Sequence, residues 1–264
     1  MTEVTVWAIH LYNSKMHLTD TLLYETDTDH GHYQVWDMDY GGRSARVLYS
    51  GHRQAAQSGI ARDHKPELLF DYNQRFYELV SALLPARMLL VGGGMYTLPT
   101  ALLPALPSLQ IDVVEVDAGL DDIASRYFDL KPSPRLHIIH MDGREYLDDN
   151  KKPYDLILVD AFSHEMTPSS LSSLEAAAEY KRNLKPNGVL AANTITAYYG
   201  RGADVIKAQL DAYRTCFKTI AVFPASKQYS LWTPQNLVVV AQAGKQRPVE
   251  EYLRYPALDL DQLR

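Results

Sequence analysis

Residues 88–160 of this 264-residue chain read MLLVGGGMYTLPTALLPALPSLQIDVVEVDAGLDDIASRYFDLKPSPRLHIIHMDGREYLDDNKKPYDLILVD. The stretch contains four short apolar runs, spaced about 20 residues apart, with helix-length segments between them. The runs are Met88–Val91, Ile111–Val116, Leu136–His140 and Leu156–Val159. Runs of this kind, each closed by glycine or a carboxylate, indicate parallel strands that are buried on both faces. The stretch therefore predicts an α/β protein with a Rossmann-like sheet.

The residues at the carboxyl ends of these strands are candidates for a binding site, because ligands of such sheets bind there. They are Gly92, Gly93 and Gly94 after the first run, Glu115 and Asp117 around the end of the second, Asp142 after the third and Asp160 after the fourth. One glycine turn and three acidic strand ends predict a nucleoside site. Glycines let the backbone approach a ligand and aim helix N–H groups at it, although such turns also serve packing alone.

Each carboxylate has a predicted role and a plainer alternative. Glu115 can accept hydrogen bonds from a ribose diol, each worth about 1.5–3 kcal/mol. The alternative is a solvated strand end, with Asp117 as the cap of the helix that follows. Asp142 can accept from the exocyclic amine of adenine where the small Gly143 makes room, or it can belong to an Asp-Gly turn. Asp160 can hold an amine and remove its proton, or it can be a capping residue. An alkylammonium, with a pKa near 10, is no nucleophile until that proton leaves.

Residues 3–60 lack helical periodicity and are rich in Tyr, Trp, Val and Thr. The predicted strands are Val4–Tyr12, Leu22–Thr26, Tyr33–Met38 and Ala45–Ser50. Asp39-Tyr40-Gly41-Gly42 is the best hairpin turn, since glycine supplies the positive φ that such turns need. The pattern predicts a small antiparallel β domain over residues 1–62, with the boundary near Ser58–Pro66, and a Rossmann-like nucleoside-binding domain over residues 63–264.

The larger domain is predicted to alternate helices and strands before a closing antiparallel hairpin. A helix over Glu67–Leu84 begins after Pro66, since its apolar residues recur at helical spacing. Further helices are predicted at Leu98–Leu106, Leu120–Tyr127, Ser169–Asn183 and Asp204–Cys216. The remaining strands are Val189–Thr194, Thr219–Phe223 and Leu237–Ala243. Residues 244–264 show no clear period and are expected to form a tail.

Composition narrows the class of protein. A formal charge of −6, with no stripe of Lys or Arg, argues against a nucleic-acid partner. The single cysteine, Cys216, excludes an internal disulfide and a Cys-rich zinc site, and no residues have metal-ligand spacing. No signal peptide and no run of 18 apolar residues is found, so we expect a soluble cytoplasmic protein without a membrane partner.

Taken together, these motifs resemble the spermidine synthase family of aminopropyltransferases, which has the class I S-adenosylmethionine methyltransferase fold. The resemblance covers roughly residues 22–243 and runs in family order. Its motifs are Tyr33-Gln34, Leu48-Tyr49-Ser50-Gly51-His52-Arg53-Gln54, Val91-Gly92-Gly93-Gly94, Val114-Glu115-Val116-Asp117, Asp142-Gly143, Tyr154-Asp155-Leu156-Ile157-Leu158-Val159-Asp160 and Tyr229-Ser230-Leu231-Trp232. The resemblance implies S-adenosylmethionine or its decarboxylated form as donor, without a metal. It places Gln34, Gln54 and the glycine turn at the donor, Glu115 on the ribose and Asp142 with Gly143 at the adenine, and it makes Asp160 the base.

The chain departs from the family on the substrate side. The family has an Asp after the three glycines, which meets the ammonium of the aminopropyl donor, and here it is Met95. A second Asp, three residues after the base, lines the amine channel in the family, and here it is Ser163. Tyr72 is the nearest relic of a further motif, and Tyr229 and Trp232 resemble residues near the amine site. Each lost charged hydrogen bond costs about 1.5–3 kcal/mol, so efficient putrescine aminopropylation is not expected.

Three functions stay open at this point. The first is transfer of an alkyl group, such as aminopropyl, to a small amine acceptor, with Asp160 as base. The second is methyl transfer from S-adenosylmethionine to a small molecule on the same scaffold. The third is a nucleoside-binding homologue without turnover. The loop residues His164 and Glu165 are further polar candidates, although a loop His is usually only solvated. Tyr198 and Tyr199 are candidates for an apolar or cation-binding pocket, although aromatic residues at such places more often belong to the core. The resemblance also implies a homodimer or tetramer.

Overall fold

The computed structural model describes residues 20–51, 53, 55–63, 67–150, 152–161, 169–226, 228–244 and 256–260. The predicted strand Val4–Tyr12 lies outside these residues. The described chain contains two sheets, one of five strands and one of seven. The chain leaves the first sheet shortly before a helix that begins at residue 71. The domain boundary near residue 62 stays a prediction.

The smaller sheet is antiparallel and its strands are ordered as in the sequence. They are β1 (Thr21–Asp27), β2 (His32–Tyr40), β3 (Arg43–Ser50), β4 (Ala55–Ala61) and β5 (Glu67–Leu68). The predicted turn between β2 and β3 is confirmed, with Gly41 and Gly42 at φ 62° and 83°. The Gly42 amide donates to Asp39 Oδ1 at 2.9 Å, which closes the turn. β4 was not predicted, because its sequence AAQSGIA offers no alternation of apolar and polar residues.

The helix predicted over Glu67–Leu84 begins later than expected. Helix α1 spans Asp71–Leu83, and Glu67 and Leu68 instead pair with β4 as the edge strand β5. Phe70 keeps an extended backbone (φ −89°, ψ 136°), which separates strand from helix. Helical spacing of Leu68 and Leu69 was misleading, since both pack against the small sheet or α1 rather than continue the helix. At its other end α1 stops at Leu84, which has a left-handed backbone before Pro85.

The larger sheet has the strand order β11-β12-β10-β9-β6-β7-β8. Its strands are β6 (Arg87–Val91), β7 (Gln110–Glu115), β8 (Leu136–His140), β9 (Tyr154–Val159), β10 (Leu184–Thr196), β11 (Thr219–Pro224) and β12 (Gln235–Gln242). β8, β7, β6, β9 and β10 pair with one another in parallel, whereas β12 runs antiparallel to both β10 and β11. The predicted fold class is confirmed, including the closing antiparallel hairpin.

Helices cover both faces of this sheet. Besides α1, they are α2 (Thr97–Ala105), α3 (Leu120–Tyr127), α4 (Gly143–Asp149), α5 (Ser169–Ser172), α6 (Leu174–Asn183) and α7 (Asp204–Cys216), with a 3₁₀ turn at Gly200–Ala203. The helix predicted at Ser169–Asn183 is divided at Ser173, whose hydroxyl accepts from the Ala176 amide at 3.2 Å and caps α6. Helix α4 was missed, because its seven residues are too few to show a period.

Alternate residues of the central strands serve two separate cores. Leu90 and Leu158 face α1, α2 and α3, whereas Leu89 and Ile157 face α6 and α7, and all four are at most 2% exposed. This burial on both faces is the reason why the strands read as continuous apolar runs. Of the tail, residues 256–260 pack on the large sheet, where Leu258 donates its amide to Val222. Within the described residues, no helix is long and apolar enough to cross a membrane.

Candidate functional site

A cavity of about 690 Å³ opens at the carboxyl ends of β6, β7, β8 and β9, beneath the smaller sheet. The site residues predicted from the sequence that line it are Gly92, Gly93, Gly94, Glu115, Asp142, Gly143, Asp160 and Tyr72. The smaller sheet and its connections supply the roof, with His30, His32, Tyr33, Gln57 and Ser58. The strand ends therefore meet at one place, as parallel pairing requires.

The end of the neighbouring strand β9 leaves no room for a side chain at the first residue of the glycine turn. Gly92 has φ 92°, and a Cβ at this position would lie 2.4 Å from the carbonyl oxygen of Asp160. A Cβ on Gly93 would lie 2.5 Å from the ring of Tyr96. Gly94 has φ 51°, and a Cβ there would meet no atom closer than 3.8 Å, so its backbone and not crowding demands glycine. Close packing therefore requires the first two glycines, whereas the third is required by its positive φ alone.

Glu115 is 8% exposed and holds the glycine turn through its carboxylate. Its Oε2 accepts from the amides of Gly93 at 2.7 Å and Gly94 at 3.1 Å. Its Oε1 accepts from the amide of Asp117 at 3.0 Å. A carboxylate offers about four lone-pair positions, and three backbone donors leave room for about one more. The side chain is thus oriented toward the cavity and still able to accept a hydrogen bond there.

Asp117 connects the smaller sheet to this loop by hydrogen bonds. The sequence suggested that it caps the following helix, but its side chain does not do so directly. Its Oδ2 accepts from the hydroxyl of Thr28 at 2.6 Å, and Tyr33 also donates to it. Its Oδ1 accepts from the amide of Gly119, the residue that forms the N-cap of α3. The turn between β1 and β2 is therefore anchored over the cavity at the end of β7.

Asp142 is exposed and caps α4 through one oxygen only. Its Oδ1 accepts from the amides of Arg144 at 2.7 Å and Glu145 at 3.3 Å. The sequence offered an Asp-Gly turn as the plainer alternative, whereas the structure shows a helix cap in which Oδ2 takes no part. Gly143 is required by packing, because a Cβ here would lie 2.7 Å from Cγ1 of Val91. The adenine role predicted for this pair stays a prediction.

Asp160, at the end of β9, is a buried carboxylate at the cavity with a strongly raised pKa. Burial raises its pKa from the ordinary 3.8 to about 7, although hydrogen bonds from Asn193 and Tyr72 lower it. Asn193 Nδ2 donates to Oδ1 at 3.0 Å. The pKa of Tyr72 is raised well above its usual value by burial and by the charge of Asp160, so its hydroxyl stays a donor. A carboxylate that changes charge near neutrality is suited to proton transfer.

Several predicted site residues lie away from the cavity. Gln34 is buried between Glu25 and Trp36, to which it is hydrogen bonded, and it does not reach the cavity. Met95 is fully buried in the core under α1 and α2. Trp232 is 69% exposed and packs on Tyr199 at 5.4 Å between ring centroids.

Tyr229 is also absent from the residues that line the cavity. Gln54, Ser163, His164 and Glu165 lie outside the described residues. No group of His, Cys, Asp or Glu that could hold a metal ion occurs in the part of the chain that the structure describes.

Three polar residues at the site were not found from the sequence. Asn193, which donates to Asp160, lies in the run Val189–Thr196 and is 1% exposed. A polar side chain inside an apolar strand was the available signal, since a buried amide needs a partner. Ser58 and Asn73 line the cavity from β4 and α1 and carried no sequence signal, because neither belongs to a motif.

Comparison with known proteins agrees with this arrangement. A family model described as the spermine/spermidine synthase domain matches residues 78–227. A polyamine aminopropyltransferase from Vibrio vulnificus is 37% identical over 115 residues, which are 42% of this chain and 38% of the relative. The match thus spans less than half of the curated relative's length.

Solved structures of low sequence identity share the fold. A probable spermidine synthase from Corynebacterium glutamicum superposes with a TM-score of 0.74 at 21% identity, covering 91% of this chain and 92% of that one. Human methyltransferase-like protein 13, in complex with SAH, superposes with a TM-score of 0.57 at 21% identity, covering 70% of this chain and 93% of that one. At these identities the likeness concerns the fold alone.

Proposed function

Because the chain belongs to the spermine/spermidine synthase family, we propose that it is a transferase that moves an alkyl group from an adenosyl sulfonium donor to an amine. The donor is S-adenosylmethionine or its decarboxylated form, and the acceptor is a small molecule. The observation that carries the proposal is the convergence of the glycine turn, Glu115, Asp142 and Asp160 on one cavity of about 690 Å³.

The charge of the cavity suits cationic reactants. The described residues that line it include Glu115, Asp117, Asp142 and Asp160 but no Lys or Arg. A sulfonium donor and an alkylammonium acceptor are both positive, so this lining raises their local concentration and stabilises them once bound. A negatively charged acceptor would meet four carboxylates and is therefore not expected.

The donor would be held by Glu115 and Asp142. Glu115 keeps about one lone-pair position for a ribose hydroxyl, so accepting from both hydroxyls requires one glycine amide to release it. Asp142 uses Oδ1 for the helix cap and retains Oδ2 for an exocyclic amine. Asp142 can therefore keep its hydrogen bonds to the first turn of α4 while it accepts from the amine.

Asp160 would act on the acceptor. With a pKa of about 7 it is partly ionised at neutral pH and can take a proton from the acceptor nitrogen. The nitrogen then forms a bond to the transferred carbon while the carbon–sulfur bond breaks and its electron pair stays on sulfur as a neutral thioether. Because the sulfonium is already an activated leaving group, in-line positioning supplies most of the rate enhancement.

Methyl transfer is the second candidate. It is favoured by Met95, which stands where the family has a carboxylate for the ammonium of the aminopropyl donor and which is buried in the core. Loss of that carboxylate affects the aminopropyl group and leaves the nucleoside contacts unchanged. The two candidates therefore differ in the donor and share the site.

The test is calorimetric binding of S-adenosylmethionine and of decarboxylated S-adenosylmethionine to the purified protein, followed by an assay of transfer to amines. Preference for the decarboxylated donor supports aminopropyl transfer, and preference for S-adenosylmethionine supports methyl transfer. Asp160→Asn should keep donor binding but lower the rate of transfer by about 100-fold or more. The matched control Asp122→Asn, on the exposed face of α3, should change neither. If neither donor binds below about millimolar, or if transfer survives Asp160→Asn undiminished, the proposal is wrong.

A further inference from the structure

Tyr96 follows the glycine turn in a backbone conformation that aromatic residues rarely adopt. It forms the N-cap of α2 with φ 53° and ψ 26°, in the left-handed region, and it is fully buried. A residue with a Cβ is strained in this region and persists there only where its surroundings hold it. The contacts that hold Tyr96 are therefore strong enough to offset this strain.

The ring of Tyr96 supports the glycine turn from below. A Cβ on Gly93 would lie 2.5 Å from this ring, so the two residues are in close contact. The Tyr96 amide also donates to the Gly93 carbonyl at 2.8 Å. Gly93 in turn donates its own amide to Glu115. A displacement of Tyr96 is thus transmitted to the carboxylate at the end of β7.

The hydroxyl of Tyr96 is fixed by a second polar contact. It donates to Asp121 Oδ1 at 2.6 Å, in the first turn of α3. Burial and the charge of Asp121 raise the pKa of Tyr96 well above its usual range, so the phenol remains a donor. Asp121 Oδ2 lies 3.1 Å from Nε2 of His140, the last residue of β8 and two residues before Asp142.

Tyr96, Asp121 and His140 thus form a bridge behind three strand ends. Tyr96 belongs to the connection after β6, Asp121 to the helix after β7, and His140 to the end of β8. We propose that this Tyr96–Asp121–His140 bridge sets the distance between the glycine turn and the adenine end of the cavity and thereby determines the affinity for the nucleoside. Because none of the three lines the cavity, they are positioning residues. The inference rests on the proposed function for its ligand.

The test begins with calorimetric binding of 5′-methylthioadenosine, an uncharged nucleoside thioether. Tyr96→Phe removes the hydroxyl and keeps the ring, and it should weaken binding about three- to tenfold. Asp121→Ala, which removes the acceptor, should weaken it to a similar extent, and the double variant should lose little more, because both changes break the same contact. The control Tyr77→Phe removes a phenol that has no hydrogen bond within the described structure, and it should bind as the wild type does.

A second readout does not depend on the ligand. Hydrogen exchange of the Gly93 and Gly94 amides, which donate to Glu115, should be faster in Tyr96→Phe than in the wild type at an equal distance below the unfolding midpoint. His140→Gln retains a side-chain N–H donor for Asp121 and should keep both readouts near wild type, whereas His140→Ala should not.

The outcomes separate the two proposals. Unchanged binding and unchanged exchange in Tyr96→Phe overturn the bridge while the nucleoside site stands. Failure of the wild type to bind methylthioadenosine overturns the nucleoside site and, with it, the role of the bridge in affinity. If His140→Gln and His140→Ala change binding and exchange to the same extent, the N–H donor of His140 does not account for its effect. That result would contradict the inference as stated.

Discussion

The raised pKa of Asp160 has a consequence for stability that Asp160→Asn isolates. Burial raises this pKa from 3.8 to about 7 in the folded protein, while the unfolded chain keeps the ordinary value. Between these values the folded protein holds a proton that the unfolded chain has released. The contribution of Asp160 to the free energy of unfolding is therefore greatest below about pH 4, falls as the pH rises and becomes constant above about pH 7.

The size of the effect follows from the same values. Each pH unit over which only the folded state holds the proton is worth about 1.4 kcal/mol, so the full interval corresponds to about 4 kcal/mol. Water that enters the cavity screens the carboxylate, and we therefore expect about 2–4 kcal/mol. Asn has the same shape and no charge, so other titrating groups cancel in the comparison with Asp160→Asn.

The measurement is urea unfolding of both proteins at intervals from pH 4 to pH 8. The difference in free energy of unfolding, wild type minus Asp160→Asn, should fall by about 2–4 kcal/mol over this range, with its midpoint between the two pKa values. Measurements at constant ionic strength keep surface electrostatics equal. A difference that stays flat, or that rises with pH, would show that Asp160 is ionised in the folded protein and would refute the assignment of a raised pKa.

Two further predictions concern the neighbours of this carboxylate. Tyr72→Phe removes a donor to Asp160 and should raise the pKa of Asp160 above its value of about 7. The pH–rate profile of transfer should therefore shift to higher pH. A profile that stays in place or moves to lower pH would contradict the contact. Gly92→Ala should lower the free energy of unfolding by at least about 3 kcal/mol, because it adds a clash with the Asp160 backbone to the strain of a positive φ. Gly42→Ala is the control, since it has φ 83° and no atom within 4 Å, and it should cost only about 1–2 kcal/mol by urea unfolding. Equal losses in both variants would mean that strain alone accounts for Gly92.

The larger sheet could be predicted from the sequence because burial on both faces leaves uninterrupted apolar runs. Elements without such a signal were missed or misplaced. β4 consists mainly of small residues and is held by backbone pairing with β3 and β5, which the pattern of its side chains does not show. The start of α1 was misplaced for the same reason, since backbone pairing with Ile60 holds Leu68 in a strand despite its helical spacing.

The site could be predicted in part. Glu115, Asp142 and Asp160 lie at strand ends, and parallel pairing alone brings strand ends together. Several residues that motif similarity alone assigned to the site do not line the cavity, because a motif does not define the direction of a side chain. Met95 follows the glycine turn in sequence, yet its side chain enters the core. Tyr96 had no sequence signal, since its position depends on a left-handed backbone and on a hydroxyl partner, Asp121, from another strand connection.

The two carboxylates nearest the glycine turn are kept in different environments, and this difference favours a division of roles. Glu115 accepts from three backbone amides, two of which belong to the glycine turn. Such donors fix the orientation of the carboxylate and suit a residue that orients a ligand. Asp160 has two side-chain donors, and burial outweighs them, so its pKa reaches about 7. Pairs of carboxylates with environments this different separate binding from proton transfer in enzyme sites. We therefore expect Glu115→Gln to weaken nucleoside binding and Asp160→Asn to slow transfer, and a reversal of these two effects would require the roles to be exchanged.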